Sequence, residues 1–321
     1  MVKTEILSTT GVDQFAEAVA RASSALRAGL PVALPTETVY GLAANATDPA
    51  ACARIFEAKE RPLSDPLIVH LPGIDWLDRL AEASDLAMRL AGKFWPGPLT
   101  LVLPRTRLVP DLVTAGQETV AVRMSAHPVF QKVASAADLP LAAPSANRFG
   151  RISPTSAGAV FAELNGRIEL ILDGGPCTHG IESTIVLVTD DGMQILRHGP
   201  ITADQLAEFG RVIMSATSQI ATPGNLKSHY APATPLDLVT ELPSAGEGIG
   251  VLAWRPVDAG GFAAVEVLSE TGDLREVAAN LYAGMRRLDD RGLRRILALP
   301  VPEEGLGAAI MERLRKAAAR E

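Results

Sequence analysis

Much of what this chain of 321 residues is not can be read from what it holds little of. Its two cysteines, Cys52 and Cys177, lie far apart without metal-ligand spacing. That argues against a disulfide framework or a zinc finger and fits a reducing compartment. Aromatic residues make up only 4% of the chain, so its cores must be built from Ala, Leu, Val and Ile. No apolar run reaches the roughly 18 residues that span a bilayer, and Met1-Val2-Lys3-Thr4-Glu5 is no signal segment, so a cytoplasmic protein with no membrane partner is expected. There is no basic excess: 30 Lys and Arg face 37 Asp and Glu, a net charge of −7. A protein that coats nucleic acid non-specifically is disfavoured, while a small basic pocket inside an acidic shell is not. Also missing are a G-x-x-x-x-G-K-[ST] loop and a G-x-S-x-G elbow, and Gly246, Gly248 and Gly250 precede an expected strand instead of following one. A P-loop kinase, a conventional dinucleotide enzyme and a Ser-His-Asp hydrolase are therefore disfavoured.

What is present is an alternation of helices and short apolar strands, in a chain long enough for two ordinary domains or one large one. Residues 13–27 place Phe15, Val19 and Leu26 at helical spacing and stop before Gly29. Asp48-Pro49 is an N-cap and first-turn pair for a helix reaching Lys59. Strands are expected at 31–34, 67–71, 99–103, 120–124, 139–143, 168–172, 184–188 and 194–197. Between 210 and 235 the texture changes to Ser/Thr/Pro/Gly punctuation, including Ser215-Ala216-Thr217-Ser218 and Thr222-Pro223-Gly224-Asn225, which reads as a linker. A second α/β pattern comes after it, with strands at 236–239, 249–254, 265–268 and 296–299. Its helix begins at Asp273, with Leu274, Val277, Leu281, Met285 and Leu288 on one face.

Polar groups gather at segment ends. Thr36, Glu37, Thr38 and Tyr40 follow a strand, as a turn would or as a ligand loop would. Lys59 and Arg61 leave a helix, where they either favour its C-terminus or converge on an anion. Ser145 and Asn147 alternate by two after a strand, either a turn or small donors for phosphate or ribose. A loop from Gly174-Gly175 carries His179, Glu182, Ser183 and Thr184 into the next strand. Arg123 and Arg197 end strands, where many arginines only snorkel. The run Arg286, Arg287, Arg291, Arg294 and Arg295, interrupted by Asp289 and Asp290, reads as a solvated helix end.

Taken in order, these motifs resemble the threonylcarbamoyl-AMP synthase family. The run Leu34-Pro35-Thr36-Glu37-Thr38-Val39-Tyr40-Gly41-Leu42 is similar to its N-terminal signature, and Lys59-x-Arg61 and Ser145-x-Asn147 to its K-x-R and S-x-N pairs. His70, Arg123, Ser183-Thr184 and Arg197-His198-Gly199-Pro200 fall in the expected order. Lys227-Ser228-His229-Tyr230-Ala231-Pro232 resembles a segment of the long form alone. The likeness covers about residues 10–235, and the tail is matched by its place in the layout. One departure is Asp65, where the family commonly has Asn before Pro-Leu.

The resemblance implies an α/β protein with a YrdC-like mixed twisted sheet in residues 1–210. It implies a lid-like linker in 211–234 and a smaller Rossmann-like α/β domain in 235–321. It implies synthesis of threonylcarbamoyl-AMP and pyrophosphate from L-threonine, bicarbonate and ATP, for threonylcarbamoyladenosine in tRNA. Lys59, Arg61, Ser145 and Asn147 would be catalytic. Arg61, Asp65, Thr119, Ser145, Ser153, Arg197 and Tyr230 would meet ATP. Thr36, His70, Arg123, Ala143 and Ser183 would frame threonine, Arg123 pairing with its carboxylate. Magnesium would come with ATP, without fixed protein ligands. A downstream tRNA-modifying transferase complex would take the product, and no stable nucleic-acid binding is expected. Two rivals are a non-enzymatic RNA-binding module and carbamoyl transfer in a maturation factor, although the latter would need zinc-finger cysteines that are absent.

Overall fold

The apolar runs of the first two thirds become strands of one large sheet in a computed structural model, which describes residues 2–213, 220–222, 224, 229–244 and 246–319. The elements are β1 (Glu5–Ser8), α1 (Val12–Arg27), β2 (Val32–Leu34), β3 (Gly41–Asn45), α2 (Pro49–Lys59), β4 (Ile68–His70), α3 (Leu77–Leu80) and α4 (Asp85–Phe94). Next come β5 (Leu99–Pro104), α5 (Asp111–Thr114), β6 (Thr119–Arg123), α6 (Pro128–Ala137), β7 (Leu141–Ala142), α7 (Ala157–Leu164), β8 (Leu170–Asp173), β9 (Thr184–Thr189), β10 (Gly192–Arg197), α8 (Ala203–Ala207) and β11 (Val212–Ile213). The last part contributes β12 (Leu236–Leu238), β13 (Gly246–Ala253), β14 (Phe262–Val267), α9 (Leu274–Asp289), β15 (Arg295–Ala298) and α10 (Leu306–Ala318).

The large sheet runs β1-β8-β2-β3-β7-β4-β6-β5-β9-β10-β11 and mixes parallel with antiparallel pairs. Because side chains alternate along a strand, neighbouring residues serve opposite faces. Val32, Leu34 and Ala43 pack with α1 and α6, whereas Ala33, Leu42 and Ala44 pack with α2, α4 and α7. Val212 and Ile213 pair in parallel with β10, carrying this sheet past residue 210. The small sheet, β12-β15-β13-β14, is wholly parallel, the pattern of a Rossmann-like layer. Its apolar cluster does not stop at the domain edge: it includes Val39, Ile152, Ile181 and Tyr230.

Two local readings change. Gly246 and Gly250 lie within β13 rather than before it, where the register with β14 shifts and Gly248 takes φ +69. Arg286 is no solvated helix end: it donates to Glu163 at 3.1 Å and to the Ile152 carbonyl at 2.5 Å.

Candidate active site

Loops at strand ends build the site. Between β2 and β3 the backbone folds on Thr36, whose hydroxyl donates to the Val39 carbonyl (2.6 Å) and accepts from the Thr38 and Val39 amides (3.1 and 3.2 Å). The turn reading thus holds, and the same turn lines a cavity. Tyr40 is a strut, its hydroxyl donating to the Gly175 carbonyl and accepting from the Gly174 amide. At the end of α2, Glu60 adopts φ 55, which stops the helix and sends Lys59 and Arg61 inward. The cavity holds about 50 Å³. Thr36, Arg61, His70, Arg123, Ala143, Ser145, Ser183, Arg197 and Tyr230 all line it, so nine of the expected residues meet there.

The other expected residues are placed differently. Lys59 is 1% exposed, and its ammonium donates to the carbonyls of Ser145, at 2.5 Å, and Asn147. It therefore clamps the S-x-N turn from behind. Asn147 is also buried, its amide donating to the Arg148 and Arg151 carbonyls. Ser153 is fully buried, with its hydroxyl donating to Glu182 at 2.6 Å. Asp65 forms an ion pair with Arg61 at 2.9 Å. Thr119 opens β6 and stands about 13 Å along that strand from Arg123. The described part of the linker lies on the core. Ala221 exchanges hydrogen bonds with Gln117, the Ala231 amide donates to the Gly150 carbonyl, and Tyr230 is 1% exposed. Ser215 to Ser218, Pro223, Asn225, Lys227 and Ser228 lie outside the described residues.

The electrostatics suit anions. Among the described residues that line the cavity, Arg61, Arg123 and Arg197 are each 7% exposed or less, and they outnumber the one carboxylate, Glu182. A small basic interior thus sits in an acidic chain. Burial and the charge of Arg61 push Lys59 well below its usual pKa. Burial would raise Glu37, but the Arg123 charge and the Ser125 and Arg123 hydrogen bonds hold it at about 2. Glu37 pairs with Arg123 at 2.6 Å, while Arg123 also donates to Gly97 and Thr38. These contacts engage all three nitrogens of the guanidinium. Burial and the neighbouring Arg123 hold His70 at about 3, so its imidazole is neutral, and Nδ1 has no hydrogen-bond partner among the described residues. Arg197 grips Ser183 at both the carbonyl and the hydroxyl, each at 3.0 Å, and Thr100 shares that hydroxyl at 2.8 Å.

Three residues were not assigned roles from the sequence: Glu37, Glu182 and Arg313, which pairs with Glu182 at 3.1 Å. Glu37 and Glu182 stand inside recognised polar runs, but nothing local tells a carboxylate that orients an arginine from one that faces solvent. Arg313 had a signal: it falls on the apolar stripe of α10 with Ala309, Ile310, Leu314 and Ala317, where a charge requires a partner.

Comparison with known proteins gives the same picture over nearly the whole chain. Residues 24–199 match a family described as Telomere recombination, and residues 201–319 match the Threonylcarbamoyl-AMP synthase, C-terminal domain. The threonylcarbamoyl-AMP synthase of Pyrococcus abyssi is 40% identical over 323 residues, covering 92% of each chain. That of Bacillus subtilis is 41% identical over 321 residues, 94% of this chain and 92% of its own. The crystal structure of P. abyssi Sua5 complexed with L-threonine superposes with a TM-score of 0.88 at 37% identity, covering 98% of both chains. On this fold, this clustering of motifs and this similarity through both domains, the chain belongs to the threonylcarbamoyl-AMP synthase family, in its long form with the C-terminal domain.

Proposed function

We infer that the chain makes threonylcarbamoyl-AMP and pyrophosphate from L-threonine, bicarbonate and ATP; its relatives are named for the synthesis of threonylcarbamoyl-AMP. The observation that carries this reading is the meeting of Arg123, His70, Ser183 and Thr36 with Arg61, Ser145 and Arg197 around one cavity. The first set suits an amino acid and the second a polyphosphate. In this reading the threonine carboxylate lies on Arg123, which Glu37 holds in place. Neutral His70 and Ser183 face the amine and hydroxyl. The amine combines with bicarbonate to a carbamate, losing water. A carbamate oxygen then attacks the α-phosphorus, and pyrophosphate leaves. No protein nucleophile is needed: catalysis rests on proximity and on stabilising charge at phosphorus, which falls to Arg61 and to Lys59 with the turn it clamps. Magnesium would enter as the ATP complex.

The linker is the lid in this account. Ligand pockets commonly hold about 300–1,000 Å³, far more than the space here, and Tyr230, His229 and Gly224 form one wall. ATP therefore enters by displacing that segment, which returns over the nucleotide and shields labile intermediates from water. The product suits a downstream tRNA-modifying transferase. Among the described residues, no helix is long and apolar enough to cross a membrane. The RNA-binding and maturation-factor readings would leave the amino-acid half of the site without a purpose. The direct test is isotopic: 13C-bicarbonate supplied with threonine and ATP should appear in a threonylcarbamoyl adenylate by mass spectrometry. An unlabelled adenylate, or none, would refute the reading.

A further inference from the structure

The carboxylate of Glu182 is where the two domains and the site meet. It is buried, and it accepts from Ser153 Oγ at 2.6 Å, Tyr282 Oη at 2.9 Å and Arg313 Nε at 3.1 Å. Arg313 comes from α10 of the C-terminal domain and is 0% exposed. Its remaining donors reach the carbonyls of His198, Ala309 and Glu182 itself and the carboxylate of Glu312, and its guanidinium carbon lies 5.7 Å from the centre of the Tyr230 ring. The neighbouring turns of α10 extend the grip. Glu312 accepts from the His198 amide at 3.0 Å, and Lys316 donates to the Gly224 carbonyl at 2.6 Å. The Lys316 carbonyl accepts from the His229 amide at 3.2 Å. Behind this polar layer, Ile152 and Ile181, the neighbours of Ser153 and Glu182, pack in the same apolar cluster as Tyr282, Ile310 and Leu314. Gly180 fits directly against α9: a Cβ there would stand 2.5 Å from the Ala278 carbonyl oxygen.

An interdomain latch with no bearing on chemistry could sit anywhere along the contact. This one lies at the cavity wall, which Glu182, Ser183, Arg197, Gly224, His229 and Tyr230 all help to form. Among the described residues, the groups of the first domain and linker that α10 holds are Glu182, Gly224 and His229, which line the cavity, and His198, which is bonded to Arg197. A fully desolvated guanidinium shared between two chain segments has one well-defined geometry, because each misplaced donor leaves a buried polar group unsatisfied. We propose that Arg313 and Glu182 are positioning residues, through which the C-terminal domain sets Ser153 and Tyr230 in place for the nucleotide. The inference rests on the reading of this cavity as the site for ATP and threonine. Neither residue needs to touch substrate. Arg313 acts through Glu182 on Ser153 and through its cation–π approach to Tyr230, so its removal should weaken ATP far more than threonine, which Arg123 holds.

Arg313→Met alone strands a buried carboxylate and risks misfolding, so the informative protein is full-length Arg313→Met with Glu182→Gln, which removes both charges of the pair and leaves Glu312 its second partner, Lys316. Two measurements apply. Hydrogen–deuterium exchange without ligands should show faster exchange at residues 152–154 and 229–231 than in the wild type, with residues 120–123 unchanged. Steady-state pyrophosphate release should show the KM for ATP raised about tenfold and the KM for threonine within about twofold, since interactions lost at one substrate raise that KM selectively. Arg313→Lys, which keeps the charge but not the planar fork, should recover only part of the loss. Unchanged exchange at 152–154 and 229–231 overturns the proposal whatever the enzyme's activity. Unchanged kinetics in the folded double variant, or equal rises in both KM values, also overturn it. Failure of wild-type protein to release pyrophosphate with threonine and bicarbonate instead refutes the functional reading, and the exchange result still decides the positioning role.

Discussion

Replacing Lys59 by Met keeps the stem that fills the space behind the S-x-N turn and removes only the ammonium. The sequence suggests a helix-end cation whose loss would hardly affect stability, but the side chain is 1% exposed and spans two carbonyls. Each hydrogen bond to a charged group is worth about 1.5–3 kcal/mol, giving about 3–6 kcal/mol for the pair. Against that stands the desolvation of a buried ammonium, several kcal/mol, the same effect that depresses its pKa. The net destabilisation expected for Lys59→Met is therefore about 1–3 kcal/mol. Thermal unfolding should show a fall of several degrees, at about 2–4 °C per kcal/mol for a domain of this class. Activity should fall much further. The turn that carries Ser145 loses its clamp, and misplacing a group that stabilises charge in a transition state commonly costs about 10²–10³ in kcat. Calorimetry and initial-rate pyrophosphate assays on the same preparation separate the two effects. A variant that melts several degrees lower yet turns over at near wild-type rate would refute the reasoning and leave Lys59 a purely structural clamp.

Glu37→Gln removes the anion that orients Arg123 at 2.6 Å, so the KM for threonine should rise about tenfold or more while that for ATP changes little; substrate titrations check the split. Glu37 and Glu182 are both held at about 2 rather than 4.5, a difference of about 3 kcal/mol each. Because the folded pKa lies below the unfolded one, this stability is present above pH 4.5 and is lost as pH falls towards 2. Chemical denaturation between those limits should show it, and a flat profile would contradict the buried pairings. Asp65→Asn takes a carboxylate from beside Arg61, so the ligand-free protein should melt lower, with a guanidinium left uncompensated, while the KM for ATP falls as phosphate takes the vacant place. An unchanged KM would mean that Arg61 does not meet the triphosphate.

Elements with a periodic or capped pattern were legible in the sequence. The amphipathic stripe of α1, the Asp48-Pro49 start of α2 and the apolar runs at β5, β6, β9 and β15 are all recognisable from spacing and capping alone. Elements without such marks escaped it. β3, Gly41–Asn45, is a row of small residues inside a polar motif and becomes a strand only because β2 and β7 flank it. β1 and β11 are short edge strands whose pairing is decided by distant partners. At the site, residue types left a turn and an anion grip both open, and nine of the residues that the family resemblance names converge on one cavity. Lys59 and Ser153 face inward to carbonyls and a carboxylate, because their partners come from segments up to 88 residues away and no local spacing records that, whereas Asn147 turns onto carbonyls of its own loop. The same holds for Arg313, whose partner Glu182 is 131 residues distant.

The central claim is that one cavity brings an amino acid and a nucleotide together through a carbamate. It is tested most directly by pyrophosphate release from ATP, measured with threonine and bicarbonate supplied separately and together. The account predicts release only when both are present. Release at full rate without threonine, or in bicarbonate-free buffer, would contradict it.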